Sequence, residues 1–362
     1  VPLVAGLPAT VPFVGPEAQE RARGAPFRAR IGANESVFGP SPRAVAAMQR
    51  AAAESWMYGD PEMHELRAAI ARHHGVAPAN VALDCGIDAL LGLAVRMTVE
   101  PGDPVVTSLG AYPTFTYHVD GFGGRLVRVP YAGDREDPEA VLAAARAEGA
   151  RLIYFANPDN PMGSWWGADD VQRLVDGVPD GALLLLDEAY ADTAPADAIP
   201  PLDLSNPSVL RLRTFSKAYG LAGARVGYAL GEAAVIRTFD KIRNHFDMAR
   251  VAQAGALAAL GDQEHLRAVV ARIARARERI AAIARAAGLG PLPSATNFVA
   301  IDCGGDGARA RRVLGALIAR GVFVRMPGVA PLDRCIRVSA GTDADLDILA
   351  EELPRAVAAA SR

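Results

Sequence analysis

Between residues 80 and 230, two rhythms of apolar positions alternate along the chain. Short apolar runs occupy residues 81–84, 104–108, 125–129, 151–156, 182–187, 208–214 and 225–229. Runs of that length, bounded by turn residues, read as strands of a sheet covered on both faces. Between them, apolar residues return every three or four positions, which is the face of an amphipathic helix. Helices are expected over 117–122 and 137–148, and directly after the glycine turn at Gly86. Strands separated by helices predict an α/β fold with a mainly parallel, doubly wound sheet. Upstream, Ser41 followed by Pro42 reads as cap and first residue of a helix through residue 53. A second helix is expected over 62–74, ended by Gly75. The first thirty residues show no period beyond one short helix at 16–23.

Downstream the pattern changes. Residues 249–287 are helical throughout and rich in Ala, Arg and Leu, and the Gly- and Pro-containing stretch 288–293 reads as a linker. A smaller α+β unit follows: strand 297–302, helix 308–320, strands 322–325 and 335–339, and a terminal helix from Asp343. The expected organisation is an N-terminal arm over 1–40, a large domain over 41–250, and a long connecting helix with a small C-terminal domain over 251–362. A chain of 362 residues exceeds the size at which one core usually keeps growing.

Composition narrows the function. Apolar residues make up 51% and charged ones 22%, with a net charge of -3, so no footprint for nucleic acid or an anionic membrane is present. Cys85, Cys303 and Cys335 are odd in number and far apart, which argues against a disulfide framework or zinc site and suits a reducing cytosol. No apolar run approaches the ~20 residues needed to cross a bilayer, and no signal-peptide pattern opens the sequence. A cytoplasmic protein is expected. His73 and His74 point in different directions on a helix, so no metal site is expected. Gly121-Phe-Gly-Gly124 precedes a strand and lacks the glycine spacing of a nicotinamide site.

The long basic side chains are arginines except for Lys217 and Lys241. Lysine survives such a replacement where an amine must lose its proton and attack a carbonyl, which a guanidinium cannot do. Lys217 lies among Thr214, Ser216, Gly220, Gly223 and Arg225, a setting that suits an anion beside a reactive amine. Gly86, Tyr112, Asn160, Asp187 and Lys217 all fall at or just past predicted strand ends, where open α/β sheets bind ligands. A Schiff base between Lys217 and pyridoxal 5'-phosphate (PLP) is the reading that unites them.

Asp187-Glu-Ala-Tyr190, thirty residues before the lysine, and Arg213-Thr-Phe-Ser-Lys-Ala-Tyr-Gly-Leu-Ala-Gly-Ala-Arg-Val-Gly227 resemble the fold-type I PLP enzymes. Within them the chain resembles the class I/II aminotransferases, nearest the histidinol-phosphate aminotransferase branch, from Ala33 to Thr342. The resemblance implies that Lys217 binds the cofactor and shuttles a proton, and that Asp187 pairs with the pyridine nitrogen. It implies that Tyr190 and Asn160 hydrogen-bond the phenolic oxygen and that Tyr112 stacks on the ring. The phosphate is expected on the backbone N–H groups of Ile87 and Asp88 after Gly86, the hydroxyls of Thr214 and Ser216, and Arg225. Tyr58 is expected to reach it from a second subunit of a homodimer, and Arg337, with Asn34 and Arg325, to bind substrate. The expected substrates are an amino donor and a 2-oxo acid acceptor. A PLP decarboxylase or lyase resembling phosphothreonine decarboxylase, and an aromatic amino acid aminotransferase, are the alternatives. Met162 replaces a usual threonine, Ile87 a small residue, and Gly59 a proline common in that branch.

Overall fold

A strand can be apolar on both sides only if both faces of its sheet are covered, and the chain supplies both covers. The structure is a computed structural model that describes residues 2–8 and 14–361. In chain order the strands are β1 Ala29–Arg30, β2 Val81–Asp84, β3 Pro104–Ser108, β4 Arg125–Val129, β5 Leu152–Ala156 and β6 Leu183–Asp187. They continue with β7 Val209–Thr214, β8 Gly227–Leu230, β9 Gly290–Pro291, β10 Phe298–Asp302, β11 Val322–Phe323 and β12 Cys335–Ser339. Seven of them form one sheet in the order β2-β8-β7-β6-β5-β3-β4. The neighbours from β4 to β7 pair parallel, and β8 runs against both β7 and β2.

Successive strand residues point to opposite faces, and the core divides accordingly. Leu183 and Leu185 of β6 pack with Leu90, Leu91, Ala94 and Phe115 from the helices Ile87–Thr98 and Pro113–Phe122. Leu184 and Leu186 pack on the other face with Val141, Leu142, Val171 and Leu174 from Pro138–Glu148 and Ala168–Asp176. Leu184, Leu185 and Leu186 are fully buried, each contributing about 1.5–3 kcal/mol of transfer free energy. The sheet is therefore doubly wound.

Local signals set most helix limits. Ser41 Oγ accepts the Arg43 N–H at 3.1 Å and caps Pro42–Ala52. Gly75, at φ 67°, ends His64–His74 in the left-handed conformation. Thr342 and Asp345 form a reciprocal capping box that starts the C-terminal helix Asp343–Ala360. That helix, Gln263–Ala286 and Gly307–Ala319 pack around the three-stranded antiparallel sheet β12-β10-β9 in one continuous core.

Some limits differ from expectation. The helix expected at 117–122 begins at Pro113, whose fixed φ suits a first turn. The helix expected from residue 62 begins at His64, because Asp60 accepts the Glu62 and His64 N–H groups and holds a turn there. The segment expected as a linker carries β9, whose Gly290 and Pro291 pair with β10. The strand expected over 322–325 is Val322–Phe323 and pairs parallel with β1, while Arg325 bridges Arg337. The helices Pro2–Gly6, Ala168–Asp176 and Ala233–Phe239 lie outside the expected ones. Residues 1 and 9–13 of the expected arm lie outside the described residues.

Candidate active site

Parallel strands end on one side of the sheet, and their ends deliver the polar side chains. β2, β3, β5, β6 and β7 stop at Asp84, Ser108, Ala156, Asp187 and Thr214. The loops that follow bring Ile87, Asp88, Tyr112, Asn160, Asp187, Tyr190, Thr214, Ser216, Lys217 and Arg225 around one cavity of about 310 Å³, with Asn34 crossing from the N-terminal segment. Gly86 stands at its edge as the residue before the helix Ile87–Thr98.

Asp187 is the most confined acid in the cavity. Its Oδ2 accepts the Tyr154 hydroxyl at 2.7 Å and its Oδ1 accepts the Ala189 N–H at 2.9 Å. Burial pushes this carboxyl up to about 6, against the lowering influence of those two donors and of the Lys217 charge. No cationic side chain among the described residues forms an ion pair with it. A buried acid without a cationic partner is costly, so the site has room for a proton-bearing nitrogen there. The Lys217 amine lies 5.5 Å from the centre of the Tyr190 ring.

At the opposite end, Gly86 has φ 87°, and a Cβ there would come within 2.5 Å of Arg225 Nη2. Only glycine permits this turn with the guanidinium so close. Arg225 is itself left-handed, at φ 56°. Its Nη1 reaches Ser216 Oγ and its Nη2 reaches Asp88 Oδ2, both at a long 3.4 Å. Thr214 Oγ1 donates to Ser216 Oγ at 3.0 Å. Arg225 Nη1 also donates to the Ala222 carbonyl at 2.9 Å, so the guanidinium is held in place, and together with the hydroxyls and the positive end of a helix it suits a phosphate-sized anion. The Tyr112 hydroxyl donates to Asp88 Oδ1 at 2.9 Å, which fixes its ring over the cavity wall.

Arg337 approaches from β12. Its side chain is buried, its Nη1 donates to Asn160 Oδ1, and its Nε has no hydrogen-bond partner among the described residues. Asn34 Nδ2 donates to the Tyr190 hydroxyl at 3.0 Å, and Ser339 Oγ donates to Asn34 Oδ1 at 3.1 Å. Asn34 thus ties the N-terminal segment to the loop after β6 and to β12. Arg325 does not line the first cavity. It borders a second one of about 820 Å³, shared with Tyr112, Asn160, Arg337, Leu314, Ile318 and Met326. Tyr58 lies away from both, 76% exposed, with its ring 4.9 Å from that of Phe246.

The model of the family "Aminotransferase class I and II" matches residues 30–353. The chain belongs to this family. The histidinol-phosphate aminotransferase from Sinorhizobium meliloti, solved in complex with pyridoxal-5'-phosphate, superposes with a TM-score of 0.96 at 57% identity, covering 99% of this chain and 97% of that one. The histidinol-phosphate aminotransferase 1 of Mesorhizobium japonicum is 37% identical over 334 residues, 90% of this chain and 89% of the relative. An aromatic amino acid aminotransferase of Mycobacterium bovis is also 37% identical, over 309 residues and 84% of each chain. The protein is thus an aminotransferase, similar to the histidinol-phosphate enzymes.

Three site residues of this aminotransferase escaped the reading of the sequence. Tyr154 supplies the hydroxyl on Asp187; a tyrosine in an otherwise apolar run was the available signal. Asp159 and Glu136, both buried behind Asn160, are hidden in turn-rich stretches that look solvent-facing. Met162, in place of the usual threonine, is 1% exposed and packs with Ala300, Leu332 and Cys335, so the substitution serves packing.

Proposed function

We propose that this aminotransferase uses PLP to exchange an amino group between histidinol phosphate, or a closely similar amino-alcohol phosphate, and a 2-oxo acid. The residues present fit that cofactor. The cradle that a Cβ at Gly86 would close, beside Arg225, Ser216 and Thr214, accepts its phosphate, and the confined Asp187 carboxyl accepts its pyridinium nitrogen. When bound, PLP supplies a carbonyl for amine attack and a ring that takes up electrons. Lys217 would hold the cofactor, then accept and return the proton at the substrate carbon through its Nζ. Tyr190 and Asn160 would donate to the ring oxygen, and Tyr112 would cover one face of the ring. Tyr58 faces out and would reach the phosphate of a second subunit, so the working form is a homodimer.

The observation that carries the substrate assignment is the pair of guanidiniums, Arg325 and Arg337, on a second cavity that shares Tyr112 and Asn160 with the first. Both can face an anionic group remote from the reacting amine, the phosphate of the donor or a carboxylate of the acceptor. The apolar residues Leu314, Ile318 and Met326 on the same wall, with the mycobacterial relative, support an aromatic amino acid donor as the second reading. A donor panel of histidinol phosphate, phenylalanine, tyrosine and glutamate decides between them through kcat/KM. Preference for histidinol phosphate by about tenfold or more is expected; preference for phenylalanine or tyrosine establishes the second reading. In the same assay Lys217→Ala abolishes turnover and the yellow colour of the bound cofactor, while Lys241→Arg retains both. Persistence of turnover in Lys217→Ala would remove the basis of the assignment.

A further inference from the structure

Two acids behind Asn160 have no part in cofactor binding as described above. Asp159 and Glu136 are 2% and 1% exposed, and their side chains are in hydrogen-bond contact with each other. Asp159 Oδ1 accepts the Tyr131 hydroxyl at 2.8 Å, and its Oδ2 accepts the Met162 N–H at 3.0 Å. Glu136 Oε2 accepts the Ser108 hydroxyl at 2.6 Å, and its Oε1 accepts the Ala156 N–H at 3.2 Å. Ser108 and Ala156 are the last residues of β3 and β5, so the pair is anchored to the sheet itself. Two carboxyls in contact in a dry interior share one proton. The titratable groups facing the pair are Tyr131, Tyr154 and Arg337. Burial raises both acids, Asp159 to about 6 and Glu136 well above its ordinary range. Tyr131, the Met162 N–H and the Arg337 charge favour the anion on Asp159, which leaves the proton on Glu136.

Arg337 presents the complementary problem. Its guanidinium is buried; burial and the neighbouring Arg325 charge lower its proton affinity, Tyr190, Asp159 and Tyr112 raise it, and no carboxylate among the described residues forms an ion pair with it. Its described contacts are Asn160 Oδ1 and the face of Phe298, 5.1 Å away. A buried cation needs a compensating charge, yet a carboxylate in its fork would have to be displaced by every substrate.

We propose that Asp159, steadied by Glu136, Tyr131 and the Met162 N–H, is the held-back counter-ion of Arg337 and so a positioning residue for the anionic group of the substrate. Asn160 is the spacer: its own side chain holds Nη1, and its neighbour in sequence carries the charge. The Arg337 fork stays charged and open. This inference rests on the reading of Arg337 as the substrate-anion binder, and the experiment separates the two.

In the cofactor-loaded enzyme, kcat and KM for 2-oxoglutarate are compared in Asp159→Asn, Glu136→Gln and Arg337→Ala. Asp159→Asn raises KM about tenfold or more and keeps kcat within about threefold; Glu136→Gln, which keeps a donor against Asp159, raises KM by less than about threefold. An unchanged KM in Asp159→Asn, or an equal rise in Glu136→Gln, overturns the inference. If Arg337→Ala leaves KM unchanged, the anion-binding role itself fails; if it raises KM while Asp159→Asn does not, only the counter-ion fails. Tyr131→Phe gives an arm that leaves both acids in place. Losing that donor makes Asp159 easier to protonate, so the acid limb of 1/KM moves to higher pH by roughly half a unit or more. A limb that stays where it was also overturns the proposal.

Discussion

Burial moves His74 and Asp187 in opposite directions, because it disfavours whichever form carries charge. Asp187 goes up to about 6. His74, packed against Tyr228 with its Nε2 2.9 Å from the hydroxyl, goes down to about 3, chiefly through burial and secondarily through the Arg213 charge. An unfolded His74 titrates near 6.5, so between about 3 and 6.5 the unfolded chain binds more protons than the folded one. The His74 contribution to stability therefore falls as pH drops through that window, while that of Asp187, raised in the folded state, runs the other way. His74→Gln is therefore expected to change the pH slope of the urea midpoint, making the variant relatively more stable at pH 5 against pH 7 than the parent; an unaltered pH slope would show that His74 does not contribute. Lys217 was legible in the sequence because lysine is otherwise almost absent. Tyr154 was not, since nothing local links a tyrosine in β5 to an acid at the end of β6.

Among the elements, the turn between β2 and the helix Ile87–Thr98 carries the most chemistry per residue. It brings backbone N–H groups and Arg225 together through Gly86, whose φ of 87° an L side chain rarely adopts and whose missing Cβ leaves the guanidinium its place. Gly86→Ala is expected to weaken PLP binding by about tenfold or more, read by titrating cofactor fluorescence, while far-UV circular dichroism is unchanged. Full affinity in that variant would place the phosphate elsewhere. Most strands and helices were legible as pattern, whereas the direction of β8 was not. Residues 215–226, between β7 and β8, contain only the single turn Ala222–Ala224, and without a crossover helix the two strands pair antiparallel. β9 hid in a Gly- and Pro-rich stretch because two residues of edge pairing leave no periodic signature.

For the molecule as a whole, Trp56, Tyr58 and Phe246 are 82%, 76% and 56% exposed. Aromatic side chains so open to water are costly in a monomer and suited to an interface. A second copy of the chain is expected to cover them. If the proposed homodimer forms through this patch, Trp56→Asp sediments as a monomer at concentrations where the parent sediments as a dimer, and binds PLP more weakly because the proposed reach of Tyr58 to the neighbouring phosphate is lost. A monomer with undiminished affinity would exclude a shared site.

Local information alone determined the rhythm of strands and helices, the placement of Asp187 and Lys217 at or just past strand ends, and the glycine turn at Gly86. Each depends on neighbours a few residues apart: apolar period, turn chemistry, a cap, a scarce amine. Only the tertiary structure decided which acids meet beside Asn160, how Asn34 joins Tyr190 to Ser339, and that Arg325 belongs to a second cavity. Those contacts join segments 23 to 305 residues apart in the chain. Their energy comes from burial and hydrogen-bond geometry, which exist once the sheet has brought its strand ends together.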